Sequence, residues 1–213
     1  MSLSQETPAG LDASAPSSSR VPGFLGRVRG MLLAPKTEWL RVERENIRPT
    51  RLFAGYVMPL AGLSTLVALL RFSSSARAPL ASAVSMAAIT FAFEVLGVYT
   101  VALIINALAS FFRAIRDRDQ ALKVVTYAFT PLWISSVFIP FPSLSLPGQF
   151  VAGLYHTYLL YLGLRVLMKS PRDRALGYAT TVVLSSIILG IVFTVVSARL
   201  GETIHMSDFR AFG

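Results

Sequence analysis

The sequence predicts an all-α membrane protein: a bundle of five transmembrane helices preceded by short cytoplasmic amphipathic helices. Three observations lead there. Apolar residues make up 54% of the 213 residues and charged ones only 15%, against about 25% charged in an ordinary soluble domain. Mean hydropathy is +0.59, and the apolar residues fall in long blocks rather than in alternation. Basic residues flank those blocks. With so few charges a soluble particle could not be covered in polar side chains, which excludes the common soluble enzyme folds.

Residues 1–19 are Ser, Pro and Ala with hardly any large apolar group. Such a segment cannot bury enough surface to offset its chain entropy, so a disordered tail is expected. It lacks a basic start followed by an apolar stretch, and so does not read as a signal peptide. The region 20–51 differs. Phe24, Leu25, Val28, Met31, Leu32 and Leu33 recur at helical spacing among arginines. Pro35 suits the first turn of a second short helix containing Trp39 and Leu40. Both pieces are too short and charged to span. They are expected on the membrane surface, with Arg27, Arg29, Trp39 and Arg41 meeting headgroups or a partner.

Five apolar blocks follow, at 52–70, 80–112, 122–139, 146–168 and 176–198; a span needs about 20 such residues. The second is overlong and should tilt or project. The Pro-rich run at 140–143 and Pro147-Gly148 predict a short turn before the fourth. Residues 52–200 thus read as the transmembrane domain and 201–213 as a short extracytoplasmic tail. Sixteen Arg and Lys lie on the side of the N-terminus and only four on the other. The positive-inside rule then puts the N-terminus in the cytoplasm and the C-terminus outside.

The net charge is +9, and 17 of the 20 basic residues are Arg. Because they flank apolar blocks, the expected partner is a bilayer with anionic headgroups, not nucleic acid. The Arg and Ala bias suggests a bacterium, hence its inner membrane. With no Cys and two His far apart, a thiolate nucleophile, Cys-ligated metal or His cluster is not expected. No cofactor is expected either: Walker, His-Glu-x-x-His, Gly-x-Ser-x-Gly and Rossmann patterns do not occur.

Within the spans, Pro59 and Pro131 each lie eight residues from a flanking cation, about 12 Å along a helix. Each follows a tyrosine, Tyr56 and Tyr127. Asn106 lies roughly 10 Å deep from the same side. These five form a candidate intramembrane site in which Asn106 would cap the Gly55 or Tyr127 carbonyl that a proline frees. The alternative is kinks that only help helices pack. Glu94 is the one carboxylate inside a span, and intramembrane acids are functional candidates; a relay from Glu94 to His156 would need helices shifted by about 8 Å. Tyr155, Tyr158 and Tyr161 form a packing stripe. Ser186, Gly190, Thr194 and Ala198 form a small-residue face suited to close helix approach, within the chain or between protomers.

Several stretches taken in order carry a resemblance. They are Pro35-Lys-Thr-Glu-Trp39 with Glu43 or Glu45 downstream, Tyr56-Val-Met-Pro59-Leu-Ala61 and Ile105-Asn106-Ala-Leu-Ala109. Tyr127-Ala-Phe-Thr130-Pro131-Leu-Trp133, Leu154-Tyr155 through Tyr158-Leu-Leu-Tyr161-Leu-Gly163, and Met168-Lys-Ser-Pro171 with Ala175-Leu-Gly177-Tyr178 follow. The chain resembles a bacterial member of the Yip (Ypt-interacting protein) membrane family. It departs from that family at 111–116, where relatives tend to be Gly-rich, and at Arg165, where they often have Pro. The resemblance implies five spans, a cytoplasmic N-terminus and no catalytic residues. The Rab-type GTPase binding of eukaryotic members is not carried over, since bacteria lack that traffic. A non-enzymatic scaffold, adaptor or membrane-organising factor is the leading expectation, with homo-oligomers or other membrane proteins as partners. A small transporter or channel is the alternative, and a membrane enzyme a remote third.

Overall fold

The structure is a computed structural model that describes residues 23–73 and 80–212, with side chains over 23–71 and 80–201. The tail expected over 1–19 lies outside the described residues. All regular structure among the described residues is helical.

Two short helices come first, α1 (Phe24–Leu33) and α2 (Pro35–Arg44). Pro35 starts α2 as expected, because its missing N–H is one that a first turn leaves unpaired anyway. They do not lie free on a membrane surface: α1 packs against the third span and α2 against the fourth apolar helix. Met31, Trp39 and Val42 are fully buried, and Arg27 and Glu38 are each only 3% exposed. The correction has a physical cause. The apolar stripe that would enter lipid finds a packed helical surface, and the arginine finds carboxylates.

The first span runs from Pro49 to Arg71. It is an α-turn, α3 (Pro49–Leu52), then a π-turn over Phe53–Val57, then α4 (Met58–Ser73). The π-turn is Pro59's doing. The Pro59 ring would collide with the carbonyl four residues back, and widening the turn relieves it; the Met58 N–H bonds the Phe53 carbonyl instead. Next comes α5 (Leu80–Leu108), 29 residues long, so about 43 Å against a hydrocarbon core of roughly 30 Å. It stops four residues short of the apolar block. The chain there turns at Arg113, which takes the left-handed φ of 54°.

The third span is the interior one. Its first half, α6 (Arg118–Ala128), is N-capped by Asp117, and every residue from Ala121 to Ala128 is buried. It breaks at Phe129 and continues as α7 (Thr130–Ser135) and a 3-10 turn. The fourth apolar block is α8 (Pro142–Val166). It starts earlier than expected: Pro147-Gly148 lies inside the helix rather than in the turn, and Gly148 faces Phe138 so closely that a Cβ would sit 2.9 Å from its ring. Last is α9 (Arg172–Phe212), 41 residues that take in the segment expected to be a short tail. Its outward side, Leu184, Ile187, Ile188, Ile191 and Val195, is exposed in the manner of a lipid-facing helix.

Among the described residues four helices are long and apolar enough to cross a membrane: Pro49–Arg71, Leu80–Leu108, Arg118–Phe138 and Arg172–Gly201. The fifth expected span, α8, has the length at 25 residues. Gln149, His156 and its tyrosines make it less apolar than the others. Among the described residues α5 packs on α4, α6 and α9, while α8 packs on α6, α7, α9 and α2. The core is therefore centred on α6.

Candidate functional site

Two features need explaining: how a broken helix survives in the middle of the bundle, and what holds α1 and α2 to its end. Both converge on Tyr127.

Pro131 has no N–H, so the Tyr127 carbonyl loses its helical partner. The helix opens there, and the Leu132 N–H turns from the Ala128 carbonyl to that of Phe129, which it shares with the Trp133 N–H. That leaves the Ala128 carbonyl free as well. Two side chains fill the gaps. Thr130 Oγ1 donates to the Tyr127 carbonyl at 2.7 Å, and His156 Nδ1 donates to the Ala128 carbonyl at 2.8 Å. Since Thr130 spends its proton on the carbonyl, the Tyr56 hydroxyl is the donor in the 2.8 Å Tyr56–Thr130 bond. The Tyr56 and Tyr127 rings meet edge to face, 4.9 Å between centroids. The two kinked segments therefore share one level, with Tyr56 and Tyr127 in contact.

Asn106 is not part of this. It lines a separate recess with Leu103, Ala107, Arg116 and Arg118, and its Oδ1 is buried without a partner. The neighbouring Ile105 occupies the core face, where Tyr178 donates to its carbonyl. One residue further along a helix is a rotation of about 100°, which turns Asn106 away from Gly55 and Tyr127. The cap expected of Asn106 is supplied by Thr130 for one proline and by the π-turn for the other.

Glu94 and His156 are likewise apart. Glu94 accepts from Ser64 Oγ at 2.6 Å. His156 is taken up by Ala128 and stacks edge to face on Phe129, 4.8 Å away. Phe129 also lines both recesses beside Glu94, so it stands between the two groups expected to form a relay. One recess, about 320 Å³, adds Ser186, Gly190 and Thr194. The small-residue stripe of α9 thus faces α5 within the chain, where Phe93 stacks on Phe193.

The docking of α1 and α2 rests on a charge cluster that the sequence reading did not single out as one. Arg27 Nη1 donates to Glu38 at 2.6 Å, and Nη2 to both Glu45 oxygens at 2.5 Å. Its guanidinium lies 5.5 Å over the Tyr127 ring. Burial works against the Arg27 charge, but the hydrogen bond to Glu45 and the fields of Tyr127, Glu45 and Glu38 outweigh it and raise its pKa. Arg41 donates to the other Glu38 oxygen, Lys123 Nζ donates to the Glu45 carbonyl at 2.7 Å, and Lys169 pairs with Glu43. Ion pairs and a charged hydrogen bond thus tie α1, α2, α6 and the turn after α8 together. Trp39 completes the joint. Its ring meets Tyr127 at 6.1 Å and lies over Gly163, where a Cβ would come within 2.8 Å of it.

Of the residues expected on the lipid surface, Arg27 and Trp39 are therefore internal. Arg29 stays exposed, and Arg41 is 55% exposed although it pairs with Glu38. The signal that could have found the joint was the acid spacing: Glu38 and Glu45 are seven apart, two helical turns, which suits one face.

The fold and this interior together define a multi-pass all-α membrane protein whose N-terminal helices are built into the bundle. The family model described as the Yip1 domain matches residues 29–194, from within α1 to late in α9, and the chain belongs to the Yip family. No curated protein and no solved structure matches it.

Proposed function

We propose that this protein is a non-enzymatic scaffold or adaptor of a bacterial inner membrane. The observation that carries the reading is the divided surface of α1 and α2. Their inner side is fixed by Arg27, Glu38 and Trp39. Their outer side presents Leu25, Leu33 and Leu40, 76%, 71% and 50% exposed, beside exposed Arg29, Lys36, Arg41 and Arg44. A rigidly held face that is apolar and basic at once suits attachment to other membrane proteins at a headgroup layer. The charge asymmetry supports a cytoplasmic N-terminus, with α8 as a fifth crossing and an extracytoplasmic C-terminus.

Photo-crosslinkers at positions 25, 33 and 40 in native membranes test the reading. Discrete protein adducts are expected, and L25S/L33S/L40S should abolish co-purification of the same proteins while Trp39 stays buried. Crosslinks to lipid alone, with co-purification unchanged in the variant, would remove it. A periplasm-specific reporter at the C-terminus checks the orientation.

One observation favours a second reading, a small transporter. Recesses of about 320 and 350 Å³ both carry Thr90, Glu94, Phe129 and Trp133 in their walls, which places an acid between two cavities in the spanning region. Proteoliposomes that conduct protons, and lose conduction with E94Q, would establish it; vesicles no leakier than protein-free ones would dismiss it.

A further inference from the structure

A recess of about 770 Å³ opens between α1, the segment after α2 and the start of the first span. Small-ligand sites run from roughly 300 to 1,000 Å³. Arg27, Arg48 and Arg51 reach it, with Glu45 the one acid in its wall among the described residues. Glu45 is already engaged. Both its oxygens take Arg27 Nη2, and its carbonyl takes Lys123. Arg48 and Arg51 are exposed and make no ion pair among the described residues. The cavity thus keeps two guanidinium groups that no carboxylate pairs with among the described residues.

Its other walls are not those of a site for a free ion. Phe24 and Tyr56 line it, edge to face at 5.6 Å, together with Ile47 and Leu52. Gly55 and Tyr56 belong to the π-turn forced by Pro59, and such turns are frequent at functional sites. At Gly55 a Cβ would meet nothing within 4 Å, so the π-turn leaves bare backbone facing open space. The recess also begins where the sequence changes from charged to apolar, between Arg51 and Leu52, which is headgroup depth for a helix entering a bilayer.

We propose that this recess binds the headgroup of an anionic phospholipid. Arg48 and Arg51 hold its phosphate, since the planar guanidinium fork matches phosphate oxygens. The aromatic and aliphatic walls flank the glycerol, and the acyl chains pass over Gly55 along the outside of the first span. The site uses residues other than the outer face of α1 and α2, and stands whether or not that face binds proteins.

The test uses the full chain in zwitterionic phosphatidylcholine micelles, titrated with phosphatidylglycerol and read by native mass spectrometry. Retention of phosphatidylglycerol over phosphatidylcholine is expected. It should fall at least tenfold in R48Q/R51Q and also in G55L, which fills the space without changing charge, but not in R29Q/R41Q. Inorganic phosphate at millimolar concentration should not displace the lipid. Undiminished retention in both R48Q/R51Q and G55L overturns the proposal. So does an equal loss in R29Q/R41Q, which would mean diffuse attraction to basic helices. Displacement by phosphate alone would make it a soluble-anion site and overturn the lipid assignment too.

Discussion

The Thr130 hydroxyl donates to the Tyr127 carbonyl at 2.7 Å, replacing the backbone bond that Pro131 cannot make. In a bilayer no water takes over if that bond is lost. T130V should destabilise the protein by about 1–3 kcal/mol, the cost of an orphaned buried carbonyl, while T130S stays near wild type. In a P131A background, where the backbone regains its N–H, T130V should cost less, losing only the bond from the Tyr56 hydroxyl. Unfolding in mixed micelles with rising dodecyl sulfate measures all four variants.

Arg27 answers two carboxylates inside the joint between α1, α2 and the bundle. Removing one member of a buried ionic cluster strands the others. R27M should therefore cost about 3–5 kcal/mol, whereas R29M, at an exposed site, should stay within roughly 0.5 kcal/mol of wild type. Limited proteolysis reads the difference directly: cleavage within 24–45 should become fast in R27M and remain slow in R29M.

Trp39 lies against Gly163 with no room for a methyl group. G163A should cost about 1–3 kcal/mol through overpacking and push the indole outward. In a W133F background Trp39 is the sole tryptophan, so its emission should shift to the red and become open to aqueous quenchers. An unshifted spectrum would contradict the packing described.

Arg113 holds a left-handed φ of 54° just after α5. A side chain in that conformation is strained and glycine is not. R113G should stabilise the protein by roughly 0.5–1 kcal/mol, the gain tempered by glycine's freer unfolded chain. A higher midpoint in the same dodecyl sulfate titration is the expected sign.

Much of the fold could be read along the chain because hydrocarbon acts on local composition. The apolar blocks, the break at Pro131, the start of α2 at Pro35 and the family all follow from residues near one another in sequence. Tyr56 and Tyr127 could be placed at one level because depth along a helix is arithmetic. Which way a side chain points at that depth is not. Asn106 and Ile105 differ by one residue, yet one faces a side recess and the other the core. Arg27 and Arg29 have the same composition around them, but only Arg27 finds Glu38 and Glu45. The sequence by itself determined medium, the positions of four spans and charge asymmetry, since each depends on the free energy of a segment in lipid or water. Only the tertiary structure decided who answers each stranded carbonyl and each buried charge. Those partners are distant in sequence, His156 lying 28 residues from Ala128 and Lys123 78 from Glu45, and are chosen by how the helices rotate against one another.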